Sequence, residues 1–278
     1  MEIIIKENYL SDFKAQLRSE EKSAHTIQKY IRDTKAFAAY IGENPVTKER
    51  VMEYKEHLIS QGYAVGSINS MLASLNSFLR FMGCDHCRVR HLRVQKSIYC
   101  PEEKELTRNE YFRLLKAAGK QPRLKMILET ICGTGIRVSE LQYFTLENVR
   151  RGEVTVSCKN KTRTILLPRK LRLKLLDYSR RQGIKEGHIF RTRTGAPVNR
   201  TNIWASMKKL CREARVCPGK VFPHNLRKLF ARTFYSMQKD IAGLADVLGH
   251  SNINTTRIYI MTTIREHQKK IDSMGLVV

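Results

Sequence analysis

A single segment rich in β-branched residues constrains the fold of this chain more than any other feature. From residue 120 onward apolar residues mostly recur at helical spacing, but the segments 152–159 and 162–168 read GEVTVSCK and TRTILLP around a short polar turn. This pattern predicts one β-hairpin among helices. We therefore expect a mainly α fold with a small β-hairpin or sheet (α+β).

The N-terminal part has the pattern of a small helical domain. Ser23 precedes a predicted helix at 27–41, Thr47 is in position to cap a second at 48–62, and a third spans 66–83. Apolar residues recur along one face of each helix, which is typical of core packing. Lys29, Arg32 and Lys35 lie on a polar face of the first helix, and the default interpretation of such a face is simple solvation.

Length and composition suggest two domains. The chain has 278 residues, against a prior of roughly 150 residues per domain. The basic segment 87–107 lacks helical periodicity and contains Pro101, so it is the best linker candidate. We assign residues 1–87 to a helical domain, 88–105 to a linker and 106–278 to a second domain. Thr107 and Glu110 have capping-box spacing at the start of that second domain.

The charge predicts a polyanionic partner. Lys and Arg number 51 against 26 Asp and Glu, a formal net charge of +25, which is the electrostatic footprint of a nucleic-acid-binding protein. A merely soluble basic surface is the alternative. An anionic membrane is a weaker rival because no apolar run approaches ~18 residues. MEIIIKENYLSDF does not have a signal-peptide pattern, so we expect a cytoplasmic protein that acts on DNA.

The cysteines favour a reducing compartment and free thiols. There are seven, an odd number, which does not suggest a disulfide framework. Cys84 and Cys87 form a C-x-x-C with His86 between them and His91 nearby. A zinc site would need two further ligands at suitable spacing, and the sequence has no second C-x-x-C, so we expect no metal.

Three segments of the second domain carry residues suited to phosphoryl transfer. They read GTGIRVSEL (133–141), PHNLRKLFARTF (223–234) and LADVLGHSNINTTRIY (244–259). The candidate residues are Arg137, His224, Arg227, His250 and Tyr259. Guanidinium groups suit phosphodiester oxygens, imidazoles can donate or relay protons, and a tyrosine oxygen can be a nucleophile. Taken singly, each has an ordinary interpretation as a surface ion pair, a cap or a core residue.

Together, these segments closely resemble the catalytic motifs of the tyrosine recombinase (phage integrase) family. The likeness extends from the Gly-Thr-Gly before Arg137 to the His-Ser-x-x-x-Thr-Thr-x-x-Tyr string that ends at Tyr259. A looser likeness covers the N-terminal part, which in that family is a SAM-like core-DNA-binding domain that clamps DNA. This favours a DNA-facing role for the basic face of the first helix. The family often has a second histidine directly after the arginine, where this chain has Lys228.

The resemblance implies a mechanism and a role for each residue. Tyr259 would attack DNA to form a 3′-phosphotyrosyl bond and release a 5′-hydroxyl, which rejoins later without metal or nucleotide cofactor. Arg137 and Arg227 would bind the scissile phosphate. His224 would donate or relay protons on the phosphate side, and His250 would donate a hydrogen bond to the phosphate.

A hairpin lysine would protonate the leaving 5′-oxygen, and its identity is open. An ungapped match to the family's Gly-Lys-Gly-Asn-Lys-x-Arg turn aligns Cys158 with the lysine. A turn shortened by one residue restores Lys159, which is our choice, with Lys161 close behind.

The family also implies an assembly and leaves alternatives open. We expect a homotetramer on two double-stranded DNA sites, with the tail 267–278 either docked or exchanged between protomers. The alternatives are a type IB topoisomerase-like nicking-closing enzyme and a non-catalytic DNA-binding regulator. The short chain leaves no room for an extra arm-binding domain, which favours a simple recombinase. Chromosome-dimer resolution and integration or excision of a mobile element are not distinguished.

Overall fold

The computed structural model describes residues 3–94, 101–158, 161–261 and 264–275, and it divides the chain into two units, residues 1–96 and 97–278. At Glu7, Glu102, Cys158, Lys161 and Lys270 only the backbone is described. Lys159, our first choice for the hairpin lysine, and the last three residues of the tail lie outside the described residues.

The first unit is a helical bundle around one apolar core. Its helices are α1 (Glu7–Ser19), α2 (Ala24–Ile41), α3 (Lys48–Ser60) and α4 (Val65–Phe81), followed by a 3₁₀ turn at Asp85–Cys87. The three predicted helices are present, and α1 is an element that the sequence pattern did not reveal. The caps form as expected, because Ser23 accepts a hydrogen bond from the Thr26 amide and Thr47 accepts one from Arg50.

Two expectations for this unit can be compared with its structure. Cys84 and Cys87 are free and buried in the bundle core, together with Val89, and among the described residues no His, Cys, Asp or Glu cluster could hold a metal ion. Lys29 does not extend into solvent as the default interpretation held. It pairs with the buried carboxylate of Asp33, which also accepts a hydrogen bond from Ser74 at 2.9 Å.

The second unit combines helices with one two-stranded hairpin. Its elements are α5 (Arg108–Ala117), α6 (Pro122–Thr134), α7 (Leu146–Arg151), β1 (Glu153–Cys158), β2 (Lys161–Leu166), α8 (Arg169–Arg181), α9 (Arg200–Ala214), α10 (Pro223–Gln238), α11 (Ile241–Leu248), α12 (Ile253–Tyr259) and α13 (Ile264–Asp272). Short 3₁₀ helices occupy Glu102–Lys104, Ala118–Lys120, Val138–Tyr143 and Pro218–Lys220. The predicted hairpin is confirmed, with β1 antiparallel to β2 and Cys158 opposite Lys161.

The sequence pattern predicts a helix that ends at Gly133 and a single helix over 138–149 after Arg137, and the structure corrects both predictions. Helix α6 does not end at Gly133 but continues to Thr134, and Gly135 follows it in the left-handed region at φ +64°. A Cβ at Gly135 would lie 2.4 Å from Phe230, so the close packing of α10 also requires glycine there. The single helix predicted over 138–149 is instead the 3₁₀ helix followed by α7. Thr145 separates the two because its side chain caps α7 by accepting from Asn148.

The described helices are all too short or too polar to cross a membrane.

Candidate active site

The five predicted residues converge at the junction of α6, α10, α11 and α12. The ring of Tyr259, the last residue of α12, lies 5.0 Å from the His224 ring and 5.2 Å from the His250 ring, measured between centroids. The guanidinium carbon of Arg227 lies 5.8 Å from the Tyr259 ring centre. Three side chains from α10 and from the turn between α11 and α12 therefore surround one phenol.

Arg137 leads into this junction in an extended conformation directly after the glycine turn. Its backbone N–H donates to Glu140 Oε2 at 2.7 Å, and its Nη1 donates to Oε1 at 3.0 Å. The position of Glu140, three residues after Arg137, predicts that its carboxylate steadies this turn, and these contacts confirm the prediction. The Arg137 side chain is nevertheless 41% exposed, so most of its five donors are available to a ligand.

The same Glu140 carboxylate binds a third donor that sequence reasoning overlooked. Arg163 on β2 donates from Nη2 to Glu140 Oε2 at 2.6 Å, and its Nη1 donates to the carbonyl oxygen of Val247 at the end of α11. Gly249 has φ +65°, and a Cβ there would lie 2.4 Å from Arg163 Cδ. Arg163 therefore links the hairpin, the Arg137 turn and the α11–α12 turn. The arginine that closes the family's hairpin motif was the available signal.

Arg227 differs from Arg137 because its side chain is buried and both of its terminal nitrogens donate within the protein, whereas its buried Nε has no hydrogen-bond partner among the described residues. Arg227 is 1% exposed. Nη1 donates to the Gly135 carbonyl, and Nη2 donates to the Leu248 carbonyl at 2.8 Å and to His250 Nε2 at 2.9 Å. Burial, followed by the charge of Arg137, lowers the Arg227 pKa to about 10, so it stays a cation at neutral pH. Arg227 thus holds together the glycine turn and the end of α11.

His250 is fixed at both ring nitrogens. Nε2 faces Arg227 as described, and Nδ1 lies 2.9 Å from the hydroxyl of Thr256, which is fully buried. Burial, followed by the cations Arg227, Arg137 and Arg163, lowers the pKa of His250 to about 4. The ring is therefore neutral at physiological pH. Sequence reasoning placed Thr256 only as a capping or packing residue and missed its contact with His250.

His224 occupies the first turn of α10 beside the nucleophile candidate. Burial, then the charges of Lys228, Arg227 and Arg137, lower its pKa. Tyr259 itself is 7% exposed and packs with Ala231, Leu244 and Leu248. The site therefore combines several cations with a single described carboxylate, Glu140. This arrangement favours an anionic ligand, and the phenol lies among the groups that would bind it.

Strand β2 of the hairpin contacts this junction, but the side chains of the predicted lysines are not described. Lys159 lies outside the described residues, and the side chain of Lys161 is not described. Arg163, two residues beyond Lys161, does reach the site through Glu140.

Comparison with known families identifies both units. The model of the phage integrase family matches residues 104–265, and the model of the phage integrase N-terminal SAM-like domain matches residues 10–83. The chain is 28% identical over 283 residues to tyrosine recombinase XerA of Pyrococcus furiosus. This alignment covers 98% of this chain and 96% of that protein. The chain is 30% identical over 265 residues to tyrosine recombinase XerD of Halalkalibacterium halodurans, covering 87% and 88%.

Solved structures share the fold. The crystal structure of XerA recombinase matches with a TM-score of 0.56 at 21% identity, covering 98% of this chain and 99% of that one. A lambda integrase tetramer bound to a Holliday junction matches with a TM-score of 0.73 at 18% identity, covering 91% of this chain and 76% of that one. At these identities the likeness establishes the fold.

Proposed function

The chain belongs to the phage integrase family and is a tyrosine recombinase, and we propose that Tyr259 is the nucleophile with which it cleaves and rejoins DNA. One observation carries the assignment of this residue. The Tyr259 ring lies beside both candidate histidines and the buried Arg227, at the last position of α12. A phosphodiester bound by those groups lies next to the phenol oxygen, which is the geometry that nucleophilic attack requires.

We assign binding of the scissile phosphate first to Arg137. Its side chain is exposed, and Glu140 holds it from one side, so its remaining donors can form a forked contact with two non-bridging oxygens. Attack by the Tyr259 oxygen at phosphorus places extra negative charge on those oxygens in the transition state. A fixed cation there stabilises that charge without reorganisation.

Arg227 and His250 would complete the phosphate site after a local exchange of partners. In the free protein the Nη2 group of Arg227 donates to His250 rather than pointing to an open position. A phosphate oxygen is a stronger acceptor than a neutral imidazole nitrogen because it is charged. Phosphate binding would therefore displace His250 from Arg227 and free its Nε2 edge for the reaction.

The remaining steps concern protons. Tyr259 loses its phenolic proton as its oxygen bonds to phosphorus, and the 5′-oxygen takes up a proton as its bond to phosphorus breaks. His224, beside the phenol and neutral at physiological pH because its pKa is lowered, suits proton transfer on the tyrosine side. For the leaving oxygen we propose Lys159, with Lys161 as the alternative, because the hairpin that carries them is joined to the site by Arg163. Rejoining reverses both transfers.

The two units suggest how the enzyme uses DNA. The N-terminal SAM-like unit would be residues 1–87, joined by a linker at 88–105 to a catalytic unit at 106–278. The chain has 51 basic and 26 acidic residues, and this excess of positive charge suits contacts to many phosphates. We propose that four copies act on two duplex sites, as in the lambda integrase tetramer on a Holliday junction, with the tail 267–278 exchanged between protomers. An enzyme of this kind with free cysteines would act in the cytoplasm.

Covalent capture on DNA tests this proposal without a known target site. A library of nicked duplexes with a randomised segment is incubated with the protein, because a nick beside the cleavage point lets the short 5′-hydroxyl fragment diffuse away. Complexes that survive SDS are recovered and sequenced. We expect one enriched sequence, protein attached to the 3′ end, and a new 5′-hydroxyl that polynucleotide kinase labels directly.

Variants of two tyrosines decide the assignment. Tyr259→Phe should bind the recovered site and form no covalent complex, whereas Tyr235→Phe on α10 should behave like the wild type. Covalent complexes that persist in Tyr259→Phe would identify another nucleophile. Specific binding with no covalent product under any condition would instead favour a DNA-binding regulator.

A further inference from the structure

A chain of three side chains leads from the buried arginine of the site into the protein interior. Arg227 Nη2 lies 2.9 Å from His250 Nε2, and His250 Nδ1 lies 2.9 Å from Thr256 Oγ1. Thr256 is on α12, three residues before Tyr259, and is fully buried. Its neighbour Thr255, by contrast, is exposed.

The direction of the hydrogen bond between Arg227 and His250 determines which ring nitrogen of His250 carries the hydrogen. A guanidinium has only donors, so His250 Nε2 must be the acceptor in its contact with Arg227. The ring is neutral at physiological pH, as its lowered pKa indicates, and a neutral imidazole carries one N–H. That hydrogen is therefore on Nδ1, where the Thr256 hydroxyl oxygen accepts it.

We propose that Thr256 is a positioning residue that holds His250 in the free protein as its Nδ1–H tautomer, with the unprotonated Nε2 presented to Arg227. Without an acceptor at this buried position, the Nδ1–H group would be unsatisfied, and the ring would favour the other tautomer or another orientation. With Nε2 protonated, two donors would face each other at the Arg227 contact. Thr256 thereby determines which edge of His250 meets the reaction.

A hydroxyl also suits the change that phosphate binding imposes. To donate to a phosphate oxygen, His250 needs a hydrogen on Nε2. It can take one up from solvent and keep its Nδ1–H on Thr256, or it can exchange tautomers, in which case Nδ1 needs a donor. A threonine hydroxyl serves in both cases because it accepts one hydrogen bond and donates another by rotation. Valine, its nearest isostere, can do neither.

The charged groups around the ring make this control necessary. Arg227, Arg137 and Arg163 all disfavour the protonated ring, and His224 acts in the same direction. Among the described contacts of the His250 ring nitrogens, Thr256 provides the one neutral partner. The Thr256 side chain therefore decides an orientation that the surrounding cations alone would leave open.

Nitrogen NMR of the free protein tests the tautomer directly and requires no DNA. Histidine-selective ¹⁵N labelling, with His250 assigned by its loss in His250→Gln, distinguishes protonated from unprotonated ring nitrogens through two-bond ¹H–¹⁵N correlations. We expect Nδ1 protonated and Nε2 unprotonated at neutral pH in the wild type and in Thr256→Ser. Thr256→Val should shift His250 toward the Nε2–H form. A wild-type ring already protonated at Nε2 would overturn the proposal, whatever the protein does with DNA.

The cleavage rate tests whether the positioning matters for the reaction, and this arm rests on the proposed function. On DNA recovered by covalent capture, we expect Thr256→Val to form the phosphotyrosyl complex on the order of 10-fold or more slowly, the effect of one buried hydrogen bond on a transition state. DNA affinity should stay the same. Thr256→Ser should restore most of the rate, and the exposed Thr255→Val is the matched control.

Thermal melting separates loss of positioning from loss of fold. If Thr256→Val and Thr256→Ser were equally slow, or if Thr256→Val cleaved at the wild-type rate with a shifted tautomer, the inference would fail while the assignment of Tyr259 would stand. Failure of the wild type to form any covalent complex would count against the proposed function and leave the NMR result to decide the tautomer.

Discussion

Arg227 donates a hydrogen bond to the ring of His250 across 2.9 Å, although the family resemblance assigns both residues to a phosphate. In the free protein, both terminal nitrogens of the buried guanidinium donate to protein acceptors in place of a ligand, and only its Nε is left without a partner within the described part of the chain. The two arginines of the site therefore differ in exposure and in their contacts. One is exposed and available to a ligand, and the other is buried and holds the turns together.

Conservative lysine substitutions should therefore have different consequences at the two arginines. A lysine at position 227 cannot reach Gly135, Leu248 and His250 at once, and each buried acceptor left without a donor costs ~1–3 kcal/mol. Arg227→Lys should lower the free energy of unfolding by several times ~1 kcal/mol and abolish covalent complex formation. Chemical denaturation and the capture assay measure the two effects.

Arg137→Lys is the contrasting variant. The ion pair between Arg137 and Glu140 is partly exposed and contributes at most about 1 kcal/mol to the free energy of unfolding. We expect near-normal stability with a severe loss of cleavage, since lysine cannot form the forked phosphate contact. Equal destabilisation by the two substitutions would contradict the distinction drawn between them.

The Glu140 carboxylate should stabilise both the fold and the site. It is 3% exposed and binds Arg137 and Arg163. Breaking a buried pair such as the one with Arg163 costs about 3–5 kcal/mol, because the remaining charge loses its compensation. We expect Glu140→Gln to lower the free energy of unfolding measured in urea by nearly this amount and to slow cleavage. Glu153→Gln, at an exposed strand end, should change neither quantity. Unchanged stability in Glu140→Gln would mean that solvent replaces the carboxylate.

Acidification should destabilise the protein through His250. Its pKa in the folded state is about 4, below the ordinary histidine value of ~6.5 that we expect in the unfolded chain. Between these two values the unfolded state binds more protons, so the free energy of unfolding decreases as pH falls through this range and is unaffected above it. Unfolding curves at pH 7, 6 and 5 should therefore diverge less in His250→Gln than in the wild type. Parallel curves for both proteins would exclude the lowered pKa.

Two lysines of α2 should separate DNA contact from folding. Lys35 is exposed, whereas Lys29 is engaged with Asp33, Ser74 and the Ser70 carbonyl. Lys35→Ala should weaken DNA binding across sequences and reduce the slope of log affinity against log salt by about one, as expected for a lost phosphate contact. Lys29→Ala should mainly lower stability. Fluorescence anisotropy across a salt series measures the first effect, and an unchanged slope in Lys35→Ala would remove α2 from the DNA contact.

Local patterns determined most of the secondary structure. The hairpin at 153–166 and the caps at Ser23, Thr47 and Thr107 depend on neighbouring residues, and all of them formed as predicted. The pattern after Arg137 predicts one helix, and Thr145 is the one residue there that indicates the observed break. Its side chain caps α7 by accepting a hydrogen bond from the Asn148 amide.

Sequence by itself determined the family of this chain and which residues gather around Tyr259, because ordered motifs record chemistry directly. It did not determine how those residues divide their hydrogen bonds. That Arg227 turns inward, that Arg163 shares Glu140 with Arg137, and that Thr256 orients His250 depend on contacts between segments far apart in the chain. Such contacts were decided by the packing of α10, α11, α12 and the hairpin, since a buried donor must find its acceptor in three dimensions.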